Sequence, residues 1–188
     1  MVRKCHSLSR SSEPEIRIVS EGVGREDLES IKKELNEMGS TVITSPFKAS
    51  AEIVIVHTIA ITFVIFSKEI YEKVGKVIIR KAAALGKSAL LKTSGPYSFT
   101  GEFKANGIES KIIVSTSDKK AFEAAMDMYD AEFDKVVQLA NSSDLPAETW
   151  ILADEYDNKQ EVFKLRIVTD FARKRIEYDE RSGTWKEY

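Results

Sequence analysis

An Asn-Gly pair at positions 106 and 107 is the feature that most constrains the fold of this chain. It separates two strand-like runs, residues 97–104 and 108–115. An Asn-Gly pair between two such runs is the strongest short-range sign of a β-hairpin. We therefore predict an antiparallel pair of strands near the middle of the chain.

The region before this hairpin alternates between the two-residue period of strands and the three- and four-residue period of helices. The expected order is strand, helix, strand, strand, helix, strand, at residues 15–20, 25–38, 40–44, 51–57, 58–86 and 88–93. Residues 59–66 are rich in Thr, Ile, Val and Phe, so a return strand is the alternative there. This order of elements predicts a ferredoxin-like, split βαβ unit over residues 15–95.

After the hairpin, the sequence predicts one long helix and a β-meander. Residues 118–141 carry an apolar stripe at helical spacing. Four strand-like segments follow, at residues 149–153, 161–169, 173–179 and 184–188. The fold class is thus α+β, and residues 96–188 either form a unit of their own or share one core with residues 15–95. Residues 1–14 are expected to be a disordered arm.

Composition and charge restrict the compartment and the partners. The net charge is −2, so the chain as a whole exerts no long-range attraction on nucleic acid or on an anionic membrane. A single cysteine, Cys5, cannot form an intramolecular disulfide and fits a reducing, cytoplasmic location. The longest apolar run, residues 53–66, is shorter than the roughly 20 residues that cross a bilayer. We expect no membrane span.

The charges are unevenly distributed along the chain. Residues 68–120 contain eleven basic and five acidic side chains, whereas residues 122–161 contain eleven acidic and two basic ones. Within the first region, one stripe of the predicted helix carries the candidate ligand- or partner-binding residues Lys73, Lys76, Arg80 and Lys87. The stripe suggests phosphate contacts, and the alternative is a solvated helix face.

His57 is a further candidate for ligand or partner binding, since it ends the predicted apolar strand 51–57. The alternative is a histidine that only caps the strand or is hydrogen-bonded in the core. Its only companion is His6, which lies next to Cys5 in the arm, so we predict no metal site.

Three other local patterns resemble sites only in part. Gly22 and Gly24 follow a strand, but Asp27 replaces the third glycine of a dinucleotide fingerprint. Residues 94–101 form a hydroxyl- and glycine-rich loop that is able to line a pocket, although turn chemistry also explains it. The aspartates at 127, 130 and 134 share one helix face, which is typical of a solvated surface.

The absence of a nucleophile, base or metal-ligand combination in this sequence favours a non-enzymatic interaction or accessory module, without cofactor. We expect it to act through its oppositely charged surfaces, by self-association or by docking to a protein partner. A small-ligand sensor with a pocket beside residues 94–101 is one alternative. Nucleic-acid binding through the basic helix is another, but the apolar run 53–56 lacks the stacking aromatic residues of RNA-recognition sheets.

Overall fold

The computed structural model describes residues 15–46, 57–63, 71–142, 145–146, 149–169, 175–179 and 181–187. Its strands are β1 (Glu15–Glu21), β2 (Thr41–Pro46), β3 (His57–Phe63), β4 (Tyr97–Ala105), β5 (Ile108–Thr116), β6 (Thr149–Asp157), β7 (Val162–Thr169), β8 (Arg175–Asp179) and β9 (Thr184–Glu187). Its α-helices are α1 (Arg25–Glu37), α2 (Lys76–Leu91) and α3 (Lys119–Ala140). A π-helical turn, Tyr71–Gly75, leads into α2. The predicted α+β class is confirmed.

All nine strands form one mixed sheet, in the order β2-β1-β3-β4-β5-β6-β7-β8-β9. Three strand–helix–strand units contribute parallel neighbours: β1 with β2, β3 with β4, and β5 with β6. The remaining neighbours are antiparallel. The three helices contact one another in the order α1, α2, α3, so they form a single layer on one face of the sheet.

In this arrangement the three strand–helix–strand crossovers do not all have the same handedness. β5 runs antiparallel to β4 and β3, yet the crossovers from β3 to β4 and from β5 to β6 advance in the same direction along the sheet. With all helices on one face, the β5–α3–β6 crossover therefore has the opposite hand to the other two. Crossovers are right-handed in about 98% of cases, so the chain contains at least one of the rare hand.

The ferredoxin-like arrangement predicted for residues 15–95 is not confirmed. The first five element types occur in the predicted order, strand, helix, strand, strand, helix, but the next strand, β4, begins only at Tyr97, outside this range. However, each helix-linked pair of strands lies side by side and parallel, whereas a split unit leaves another strand between them. The division of the chain near residue 95 stays a prediction, although β3 and β4 pair across that point and their buried residues belong to one core.

Two predicted elements differ from the structure. Residues 57–63 form strand β3 rather than the start of a helix, which confirms the alternative for that part of residues 59–66. The strand predicted at 88–93 is wrong, because α2 continues to Leu91. Ala89 and Leu90 are buried and extend the apolar stripe of α2 by one more turn, and this packing decides the conformation. The strand predicted at 51–57 lies outside the described residues except for His57.

The hairpin and the long helix are confirmed. Asn106 and Gly107 join β4 to β5 with φ angles of 51° and 84°, the left-handed pair that a type I′ turn requires. α3 begins at Asp118, whose carboxylate accepts a hydrogen bond from the Ala121 N–H at 2.9 Å. The strands predicted in the C-terminal region are found as β6 to β9.

The core lies between the helices and one face of the sheet. Alternate residues of the central strands are buried on this face, for example Ile59, Phe99, Val114 and Leu152. The intervening residues form the opposite face, which no helix of the described part covers. We call this second surface the open face.

Both ends of the sheet are protected against further strand pairing. On the outer edge of β2, the Val42 N–H donates to the Asn36 side chain at 3.1 Å, and the preceding Ser40 N–H donates to the Leu35 carbonyl at 3.3 Å. Pro46, at the end of the same strand, has no N–H to offer. At the other end of the sheet, β9 has only four residues and carries Lys186 and Glu187. Short, charged edges of this kind discourage pairing with another chain.

α3 approaches the sheet very closely at Gly101 of β4. A β-carbon at this position would lie 1.9 Å from the Tyr129 hydroxyl and 3.2 Å from the Phe133 ring. Both aromatic side chains are almost fully buried. Gly101 is therefore needed because the helix packs directly on the backbone of β4.

We expect Gly101→Ala to destabilise the fold by about 1–3 kcal/mol, the usual cost of overpacking a dense core. Tyr129→Phe removes the hydroxyl oxygen that the new methyl group meets first. Gly101→Ala should therefore cost less stability in the Y129F background than in the wild-type protein. Chemical denaturation of the four proteins gives the coupling energy. Strict additivity would contradict the predicted contact.

The same set of contacts stabilises two turns of the β-meander: an aspartate that accepts backbone N–H groups of the turn and pairs with a lysine. Asp157, at the end of β6, accepts backbone N–H groups of Lys159 and Gln160 at 2.8 and 3.2 Å and pairs with Lys164 at 2.7 Å. Asp179, at the end of β8, accepts the Arg181 N–H at 3.0 Å and pairs with Lys186. Hydrogen bonding from the lysine lowers the pKa of each carboxyl to about 2, with further hydrogen bonds from the turn N–H groups and, at Asp179, from the Ser182 side chain.

These lowered pKa values predict a loss of stability in acid. Each carboxylate stabilises the fold fully above the unfolded pKa of 3.8, and the effect disappears as the pH falls through about 2. The D157N/D179N variant should therefore be less stable than wild type at neutral pH, and the difference should shrink as the pH falls from 3.8 through about 2. Urea unfolding midpoints across this range measure the difference. A pH-independent gap would contradict the assignment.

Candidate functional site

The basic stripe predicted on α2 faces the aspartates of α3. Lys76 pairs with Asp134, Arg80 pairs with Asp130 at 3.4 Å, and Lys87 pairs with Asp127. As the residue number rises along α2, the number of its partner on α3 falls, so the two helices are antiparallel. Three ion pairs connect them. We call these pairs the helix ladder.

The helix ladder joins the basic region of the sequence to the acidic region. Three basic side chains of the first pair with three carboxylates of the second inside one molecule. Two more basic side chains of the basic region pair with carboxylates of α1: Lys81 with Glu34 at 2.6 Å, and Lys92 with Asp27. The α3 aspartates, expected to form a solvated face, each have a basic partner on α2.

The other predicted site residues lie in different places. Lys73 falls in the π-helical turn, and its side chain is outside the described part. His57 begins β3, and its ring packs so closely on Gly22 that a β-carbon there would lie 2.6 Å from it. The backbone N–H of His57 donates to the Pro96 carbonyl at 2.9 Å. The ring nitrogen Nδ1 has no hydrogen-bond partner among the described residues. His57 therefore lies at the turn that follows β1, with its ring against the backbone.

One end of the helix ladder is a polar cluster beside a cleft of about 720 Å³. The Tyr71 hydroxyl donates to Asp134, which also binds Lys76. Burial is the main cause that raises the pKa of Tyr71, and the hydrogen bond to Asp134 adds to it. Burial also raises the pKa of Asp130, with Arg80 opposing the shift and Asp134 adding to it. Each carboxylate is thus engaged by donors of its own protein, as in a structural network.

The described residues contain no group of three or more His, Cys, Asp or Glu side chains placed to hold a metal ion. No helix in the described ranges is long and apolar enough to cross a bilayer. Residues 94–101, expected to line a pocket, lead into β4 and contribute to none of the clefts of about 720, 660 and 520 Å³ in the described part. Gly22 borders the last of these, together with the acidic Glu21 and Glu29.

The open face is the surface that sequence reasoning missed. Its centre carries short or aliphatic side chains in adjacent registers, including Ala60, Thr100 and Ile113. All three are only partly buried. The two-residue alternation of apolar and polar side chains in β4 was the available signal, although the apolar run 112–114 interrupts it in β5. That alternation does not predict that all helices lie on one side of the sheet.

Charged pairs flank this centre. Lys111 pairs with Glu102 at 3.3 Å across β4 and β5. Arg166 of β7 bridges Glu155 of β6 at 2.7 Å and Glu177 of β8 at 3.1 Å. The open face therefore presents both signs of charge, already paired within the sheet.

Comparison of the chain with protein-family models, with curated proteins and with solved structures finds no match.

The two carboxylates at the end of the helix ladder should respond differently to neutralisation. Asp130 has a raised pKa, so its charge opposes folding at neutral pH, and Asp130→Asn should leave stability unchanged or slightly higher. Asp134→Asn should cost about 1–2 kcal/mol, because Tyr71 and Lys76 then lose a shared charged acceptor. Thermal and urea unfolding at pH 7 compare the two. Equal losses would contradict this distinction.

Proposed function

We propose that the protein is a non-enzymatic interaction module that associates with a second copy of itself through the open face. The observation that supports this is the one-sided helix layer, which leaves one face of a nine-stranded sheet without a helical cover in the described part. The helix charges are a poor alternative for docking, because the helix ladder neutralises them within the molecule.

The size of the open face matches this role. Nine strands about 4.8 Å apart span roughly 38 Å, and strands that average about seven residues are roughly 23 Å long. The face therefore measures roughly 900 Å², close to the roughly 800 Å² that each partner contributes to a protein interface of standard size.

The side chains of the open face also suit the stacking of two sheets. Two sheets pack about 10 Å apart, which requires short side chains at the centre of the contact. Ala60, Thr100 and Ile113 meet this requirement. The charges of Lys111, Glu102, Arg166 and Glu155 are satisfied by their own neighbours, so these pairs do not need a charged partner on the second copy.

Sedimentation equilibrium of the full chain tests this proposal. We expect wild type to be dimeric at tens of micromolar, and Ile113→Arg and Thr100→Arg each to be monomeric, since a long cation at the centre prevents close stacking. Ala124→Arg is the matched control, because Ala124 lies on α3, on the other side of the sheet, and outside the buried stripe of that helix. Circular dichroism verifies that each variant is folded.

A wild-type protein that stays monomeric at all concentrations would overturn the proposal. So would a dimer that persists in both open-face variants, or one that is lost in the α3 control.

A further inference from the structure

A second cleft, on the helix side of the sheet, has the properties of a small-molecule site. It lies between the C-terminal turns of α3 and strands β7 to β9. Its volume of about 660 Å³ is within the usual range for ligand pockets. Its main walls are Lys135, Gln138 and Leu139 of α3 and Leu165, Tyr178 and Trp185 of the sheet.

The floor of the cleft is an aromatic corner. The rings of Tyr178 and Trp185 lie 5.1 Å apart between centroids, with an angle of 60° between their planes. Both side chains are only partly buried, although they pack on the core. The aliphatic side chains of Leu139 and Leu165 line the same cleft. A flat ring is the ligand shape that such walls contact best, by stacking on one ring and meeting the edge of the other.

Three polar groups of the cleft are not engaged by the protein. Within the described residues, the Tyr178 hydroxyl, the Trp185 indole N–H and the Gln138 side-chain amide make no hydrogen bond. The indole is a donor only, whereas the hydroxyl and the amide both donate and accept. A ligand that pairs with all three therefore needs at least one acceptor, for the indole N–H, at its edge.

The charge of the cleft does not favour a free anion. Lys135 donates to Glu132 at 3.0 Å, and its Nζ lies 3.9 Å from the fully buried Asp154. Two carboxylates thus face this one cation. An uncharged ligand avoids the repulsion that a carboxylate or phosphate would meet there.

We propose that this cleft binds an uncharged, flat heteroaromatic ring with hydrogen-bond acceptors, of the nucleobase class. The ring stacks on the Tyr178 and Trp185 corner, and the Gln138 amide pairs with a donor–acceptor edge of the base, as glutamine does with adenine. This inference goes beyond the proposed self-association, because the cleft and the open face lie on opposite sides of the sheet.

Fluorescence titration tests the proposal with adenosine and guanosine as probes and ribose as the negative control. The chain has two tryptophans, so Trp150→Phe leaves Trp185 as the single reporter. We expect at least one of the two nucleosides to change its emission saturably, and ribose to have no effect. Added to this background, Gln138→Ala and Tyr178→Phe should each weaken binding about tenfold, the effect of losing one well-formed hydrogen bond to the ligand.

Gln160→Ala is the matched control, since Gln160 is an exposed glutamine on the turn between β6 and β7 and does not line this cleft. It should bind as the background protein does. Calorimetry with the otherwise unmodified chain gives the affinity without the reporter substitution. No saturable binding of either nucleoside at millimolar concentration would overturn the proposal, as would equal affinity in all variants. Ile113→Arg should bind normally, which separates this result from the test of self-association.

Discussion

The packing of α3 against β4 and β5 is the contact on which the rest of the structure depends. Phe122, Tyr129 and Phe133 of this helix are almost fully buried, and Gly101 lets the helix approach the strand backbone. This contact holds α3 on the same face as α1 and α2, although a crossover of the same hand as the other two would place it on the opposite face. One layer of helices, one core and one sheet face without a helix in the described part are the result.

The helix ladder has a different role from this core. Its ion pairs are partly exposed, and pairs of this kind contribute between zero and about 1 kcal/mol each. Their main effect is to fix how α2 and α3 align, because each pair joins one basic side chain of α2 to one carboxylate of α3. Charge counts along a chain are therefore a weak guide to partners, since charges of distant segments can pair with each other in the fold.

Local signals predicted the elements whose own residues decide them. Asn106 and Gly107 specify their turn through backbone conformation, and Asp118 marks the start of α3. The strand expected at 88–93 is wrong because Ala89, Leu90 and Leu91 are good helix formers and because Ala89 and Leu90 are buried on the same face as the rest of the α2 stripe. The order of strands, the pairing of Lys76 with Asp134, and the aromatic corner of Tyr178 and Trp185 depend on contacts between distant segments, for which the sequence carries no periodic signal.

The protected edge of β2 limits how copies of this protein are able to assemble. Asn36 occupies the N–H of Val42 and Pro46 offers none, so a neighbouring strand finds few donors there. An edge that accepted strands would extend the sheet from molecule to molecule and give fibres of indefinite length. With that route closed, the proposed stacking of two open faces about a two-fold axis would use up the contacting surface in one step. A single asparagine side chain thereby helps to separate finite assembly from open-ended polymerisation.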